Sequence, residues 1–128
     1  MKLNRPLLHR VRIADAILFW PALGLVIWGE IFAPPENVLL AKVNDKILHS
    51  FAYFVLAAMA SVALKSRRSA LLAVVAIIVL GGLLEIIQGY VGRDMSLYDE
   101  LANMAGAIPG GIIARLFIEP LRRSYPGI

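Results

Sequence analysis

The sequence predicts an all-α membrane protein, a bundle of four transmembrane helices with both termini on the cytoplasmic side. Three observations lead there. First, 59% of the 128 residues are hydrophobic and only 17% are charged. Soluble domains run at roughly 45–50% apolar and about 25% charged, so this chain has too little polar surface to coat a soluble globule. Second, the apolar residues fall into four runs, each near the ~20 residues that cross a bilayer. Third, the basic residues are divided unevenly between the connections, as in proteins that insert with a fixed orientation.

The runs are residues 13–31, 47–64, 70–90 and 97–118, within one domain spanning residues 1–128. Lys2, Arg5, Arg10 and Arg12 precede the first run, as in a signal peptide. No small-x-small cleavage pattern follows it; Trp28-Gly29-Glu30-Ile31-Phe32 does, so the run is expected to stay as an anchor. Pro21 removes one backbone hydrogen bond from this helix. Asp15 is expected to pair with Arg12 near its start, and Trp20 falls mid-span, packed or facing lipid. Trp28, Tyr90 and Tyr98 fall near span ends, where amphipathic rings prefer the interface. The third run has no polar side chain from 70 to 84. Ser96 is placed to cap the fourth helix, with Asp99 as its capping-box partner, and Arg115 and Glu119 are spaced to pair near that helix's end. A soluble helical bundle would need helices with a polar face and an apolar face, and these runs lack that alternation.

Orientation follows from charge. Lys2, Arg5, Arg10, Arg12, Lys65, Arg67, Arg68, Arg115, Arg122 and Arg123 fall on one side, and only Lys42, Lys46 and Arg93 on the other. The richer side is therefore cytoplasmic. Glu30, Glu36, Asp45, Glu85, Asp94, Asp99 and Glu100 lie toward the outside. The net charge of +4 sits in short patches between apolar runs rather than on one soluble face, which argues for a lipid surface and against nucleic acid as partner. With no cysteine, disulfides and thiolate metal sites are excluded.

The polar residues within the spans gather at the outer ends of the second, third and fourth. Asp45, His49 and Tyr53 fall within an arc of about 80° on one helix face, with Lys46 beside them. Glu85 and Gln88 are about 60° apart on the third helix, and Arg93 follows in the outer connection. Asp99, Asn103, Gly106 and Gly110 share an arc of about 60° on the fourth. An ionisable group at the bilayer centre costs at least about 2.5–3.5 kcal/mol, so such groups face the bundle interior or a cavity. The three stripes are therefore expected to point at one another. The plain alternative is a polar clamp without chemistry, but interhelical hydrogen bonds in membranes average only about 0.6 kcal/mol, a small return for so many charges. Ala102, Gly106, Gly110 and Ala114 also form a small-residue seam, expected to pack a neighbouring helix within the monomer, with a dimer contact as the alternative.

At these residues the chain resembles the VanZ-like family of bacterial membrane proteins. The pattern is Asp45-Lys46-x-x-His49, Tyr53, Glu85-x-x-Gln88, Arg93, then Asp99-x-x-x-Asn103-x-x-Gly106 and Gly110, over roughly residues 44–112. Ser50 stands where the family often has an aromatic residue, and Glu100 adds a second acid beside Asp99. The resemblance implies a bacterial inner membrane, an envelope role, and a link to tolerance of the lipoglycopeptide teicoplanin.

The leading expectation is an outward-facing polar pocket that engages a membrane-embedded anionic amphiphile, a membrane lipid or lipid-linked envelope molecule. Lys46 and Arg93 would take its phosphate or carboxylate head. Asp45 or Tyr53 would position His49. Glu85 and Asp99 would orient the basic groups, with Gln88 and Asn103 as neutral hydrogen-bond partners. An enzyme reading uses the same residues, with His49 and Glu85 as acid–base groups, Asp45 holding the His49 tautomer, and Asp99 beside them. A structural or accessory membrane protein is a further alternative. The inner half of the bundle lacks the polar path that proton-coupled transport needs. No cofactor is expected. His49, Asp45, Glu85 and Asp99 are metal-ligand types, but Lys46 and Arg93 among them argue against a metal.

Overall fold

The computed structural model describes residues 5–32 and 39–125, the side chains of 39–43 excepted. Lys2, Glu36 and the Lys42 side chain, all used in the charge reading, lie outside the described residues. Four helices and no strand occur among the described residues: α1 (Arg5–Phe32), α2 (Leu39–Ala63), α3 (Arg67–Tyr90) and α4 (Leu97–Ser124). All four contain a segment long and apolar enough to cross a membrane. The chain is an all-α four-helix bundle with the makings of a multi-pass membrane protein.

The helices run past the apolar runs because hydropathy marks the hydrocarbon-facing stretch, while backbone hydrogen bonding continues into polar sequence. α1 passes through Pro21, and α4 through Pro109 and Pro120. Helix starts follow local chemistry. Ser66 caps α3 by accepting a hydrogen bond from the Ser69 amide at 2.9 Å. After Tyr90 the chain turns at Gly92, whose φ of +82° lies in the region that side chains disfavour.

Connections place the helices up-down-up-down, so α1 runs parallel to α3 and α2 to α4. The closest pair is α2 and α4, and the glycine seam is the reason. A Cβ built on Gly106 would collide with the Ser50 carbonyl, and one on Gly110 with the Phe54 carbonyl. Backbones can approach this closely only where no side chain intervenes. The seam is thus used inside the monomer. Gly111 does the same toward α3, where a Cβ would lie 2.7 Å from Val74 Cγ2. Tyr53, Leu56, Ala57, Ala60, Val74, Ile77 and Ala107 form the core, and Phe19, Ala22, Leu23 and Val26 of α1 lean against it. Among the described residues α1 packs on α2 and α3 and not on α4.

The exterior is apolar. Trp20, at 69% exposed, Leu116 and Phe117 point away from the core. A soluble bundle would bury such residues; here they face the lipid side.

The two ends differ in kind. At one end arginines from α1 and α4 converge on the C-terminus of α2. Arg12 donates to the Ala63 carbonyl at 2.9 Å, Arg115 to Leu64 at 3.0 Å, and Arg122 to Val62 and Lys65, each at 2.7 Å. The last carbonyls of a helix lack intrahelical partners and carry the negative end of its dipole, so cations suit them. The expected Arg12–Asp15 pair does not form, because Arg12 is engaged here. The Arg115–Glu119 pair forms at 3.3 Å, and Arg67 shares the same carboxylate.

Candidate functional site

The opposite end holds the polar constellation, and the α2–α4 seam sets its register. With Gly106 against Ser50, the preceding turns of the two parallel helices must also face each other. Asn103 meets His49, and Asp99 meets Lys46. His49 Nδ1 lies 3.0 Å from Asn103 Oδ1, and Lys46 Nζ forms a close ion pair with Asp99. Asn103 Nδ2 donates to Glu100 Oε2 at 3.2 Å, which fixes the amide so that its oxygen faces the imidazole. Gly81 of α3 makes room for this layer, since a Cβ there would lie 2.7 Å from Glu100 Oε2 and 2.9 Å from Tyr53 Cε1.

α1 and α3 complete the site. Glu30, 6% exposed, sits in the last turns of α1. Its Oε1 lies 3.3 Å from His49 Nδ1, while its Oε2 accepts from Gln88 Nε2 at 2.9 Å. Gln88 also donates to the Glu30 carbonyl at 2.7 Å, and Arg93 donates to the Gly29 and Glu30 carbonyls. Both thereby satisfy unpaired carbonyls at the end of α1. On the far side of the ring, His49 Nε2 is 3.5 Å from Asp45 Oδ1. Among the described residues, the three polar atoms set against the imidazole nitrogens, from Asn103, Glu30 and Asp45, are all acceptors.

Glu85 is 3% exposed and accepts the Ser96 amide through Oε2 at 3.0 Å. Ser96 in turn caps α4, its hydroxyl accepting from the Asp99 amide at 3.4 Å. In the expected capping box Asp99 would reach back to the Ser96 amide. Here Glu85 of the neighbouring helix takes that amide, which leaves the Asp99 carboxylate for Lys46. Among the described residues, Glu85 Oε1 and Tyr53 Oη are buried without hydrogen-bond partners.

A cavity of about 700 Å³ opens onto this layer. Its polar side is formed by Glu30, Asp45, Lys46, His49, Gln88, Arg93, Asp94, Ser96 and Asp99; its apolar side includes Leu25, Val26 and Trp28 of α1 with Leu48 and Met95. Of the residues singled out in the sequence, Asp45, Lys46, His49, Gln88, Arg93 and Asp99 line it. Tyr53, Glu85 and Asn103 do not; they are buried behind it. Gly106 and Gly110 serve the packing one level further in.

Some expected roles change. Arg93 binds main-chain carbonyls rather than facing a carboxylate. Glu85 holds a helix N-terminus rather than a basic group. Tyr53 makes no hydrogen bond to His49; Asn103, Glu30 and Asp45 surround the ring instead. Of the adjacent acids, Asp99 faces the cavity and Glu100 the Tyr53–Asn103 layer. Glu30 is the residue that sequence reasoning missed as a site member. Its signal was its level, the last turns of α1, opposite the three stripes.

No family model, curated protein or solved structure matches this chain. The site must therefore be read from its own chemistry. It offers Lys46 and Arg93, the carboxylates of Glu30, Asp45, Asp94 and Asp99, and a histidine bracketed by acceptors on one cavity wall, with Glu85 buried behind it. Among the described residues, two sets of three bring one donor atom each within 4.8 Å of one another: Glu30, His49 and Glu85, and Asp45, His49 and Asp99.

Proposed function

We propose that the chain is a bacterial inner-membrane envelope protein of the VanZ-like kind, N- and C-terminus inside, whose cavity faces outward and engages a membrane-embedded anionic amphiphile. The observation that carries this reading is the two-sided cavity. An apolar wall from α1 suits a lipid tail, and polar residues at one end of the bundle suit a head group. Lys46 keeps 42% of its side chain exposed and, with Arg93, lines the cavity, whereas Glu85 is buried behind it. An anionic head would meet these two cations on a wall they share with the carboxylates of Glu30, Asp45, Asp94 and Asp99. The arginine-rich end lies at the pole opposite the cavity, which supports a cytoplasmic assignment for that pole. The resemblance adds an expected contribution to lipoglycopeptide (teicoplanin) tolerance.

A second reading rests on His49. Its ring lies between Glu30 and Asp45 and lines the cavity, as an acid–base group acting on a lipid-linked substrate would. Mass spectrometry of lipid retained by the purified protein tests both. The binding reading expects one anionic lipid class enriched over bulk membrane, and less of it with Lys46→Gln. Conversion of that lipid with time would select the enzyme reading. Bulk lipid composition, unchanged by Lys46→Gln, would contradict the amphiphile site.

A further inference from the structure

We propose that Glu30, His49 and Glu85 form a binding site for one divalent transition-metal ion. The proposal does not rest on the amphiphile reading, because its ligand is the metal alone.

The first support is geometry. One donor atom from each of the three residues lies within 4.8 Å of the others, across α1, α2 and α3. An imidazole with two carboxylates is a donor set suited to zinc, manganese or ferrous iron.

The second is the way the donors are held. Glu30 has Oε2 fixed by Gln88 and leaves Oε1 toward the ring. Glu85 has Oε2 fixed by the Ser96 amide and leaves Oε1 buried with no hydrogen-bond partner. Each carboxylate is thus anchored by one oxygen; the other lies 3.3 Å from His49 Nδ1 in Glu30 and has no hydrogen-bond partner in Glu85. Asp45 stands at 3.5 Å from the far nitrogen of His49. With Nδ1 on a metal, in place of its 3.0 Å contact with Asn103 Oδ1, Nε2–H would face that carboxylate, the arrangement that commonly orients a ligating histidine. Tyr53 Oη is also buried without a hydrogen-bond partner.

The third is charge. Glu30 and Glu85 are 6% and 3% exposed, and buried carboxylates require compensation. The sequence reading set Lys46 and Arg93 against a metal. In the structure Lys46 is taken by Asp99, and Arg93 by carbonyls of α1. Neither occupies the Glu30–His49–Glu85 space. The other trio, Asp45, His49 and Asp99, already carries the Lys46 ammonium.

The full chain, purified in detergent and stripped with chelator, is titrated with Zn²⁺ by calorimetry and with Co²⁺ by absorption spectroscopy. One ion per chain is expected, with Co²⁺ ligand-field bands that His49→Gln removes. Glu30→Gln and Glu85→Gln should abolish saturable binding, Asp45→Asn should weaken it by about 10–100-fold, and Glu119→Gln at the opposite end should leave it intact. Monodispersity and helical circular dichroism establish folding of each variant. Should the site variants fail to fold, wild-type protein still decides, because absence of saturable Zn²⁺ binding or of Co²⁺ bands overturns the proposal. So does wild-type affinity in folded Glu30→Gln or Glu85→Gln protein, which would mean that shared protons rather than a metal balance these acids. Loss of binding with Asp99→Asn but not with Glu30→Gln would move the ion to the other trio and equally overturn the assignment.

Discussion

Gln88 illustrates how much a single side chain in this bundle must satisfy. Its amide bonds both the backbone carbonyl and the carboxylate of Glu30 while only 3% exposed. Removing it leaves a buried carboxylate oxygen without its partner, a cost of about 1–3 kcal/mol, and leaves the Glu30 carbonyl to Arg93 alone. Gln88→Ala should therefore lower the thermal transition in detergent clearly, whereas Ile86→Ala, on the exposed face of the same helix, should lower it little. Equal shifts would mean that the Gln88–Glu30 contact contributes nothing. Gln88 was legible in the sequence because Glu85 and Gln88 form a stripe on an otherwise apolar helix. Glu30 was not, because α1 carries no second polar residue on that face near it; an acid beside Trp28 reads as interfacial. Only the meeting of α1 with α3 turns it inward. Tyr53 and Asn103 were legible as polar members of the stripes, but whether they line the cavity or sit behind it depends on depth that helical spacing does not encode.

At the scale of the element, the α2–α4 seam determines the register of everything polar above it. Gly106→Leu would drive a branched side chain into the Ser50 carbonyl. Overpacking of this kind costs about 1–3 kcal/mol, and more when backbone is the obstacle. Ile112, 56% exposed, should accept leucine with little change. Thermal stability of the two variants in detergent checks this, and similar values would remove the seam from the account. Ser96→Ala should cost about 0.5–2 kcal/mol through loss of the α4 cap. It should also disturb Glu85, because both meet at the first turn of α4. The small-residue repeat was readable from α4 alone. Its partner was not, since spacing on one helix says nothing about which neighbour approaches. The capping box was half right for a similar reason: the Ser96 hydroxyl acts within its own helix, but the acid that reaches its amide comes from α3.

At the scale of the whole molecule, apolar run length gave the four helices and their number because a bilayer leaves few alternatives to a helix. The runs understated helix ends, where basic residues such as Arg67 and Arg122 continue the helix into the polar boundary. The proposed orientation predicts that cysteines introduced singly at Ser66 and Ser124 label only from the cytoplasm, and one at Asp94 from outside; labelling of Ser66 from outside would overturn it. The central claim is a division of labour: the apolar bundle maintains the fold, and the ionisable groups at its outer end maintain function. His49→Gln, Glu85→Gln and Asp99→Asn keep approximate size while removing ionisation. The measurement is complementation of a deletion's envelope phenotype, such as altered lipoglycopeptide sensitivity, normalised to the amount of correctly inserted protein. Each single variant is expected to lose function at near-normal abundance, and the His49/Glu85 double variant to be barely worse than either, as groups acting in one unit are non-additive. Full function in all three single variants, or loss only in proportion to lost protein, would contradict the claim.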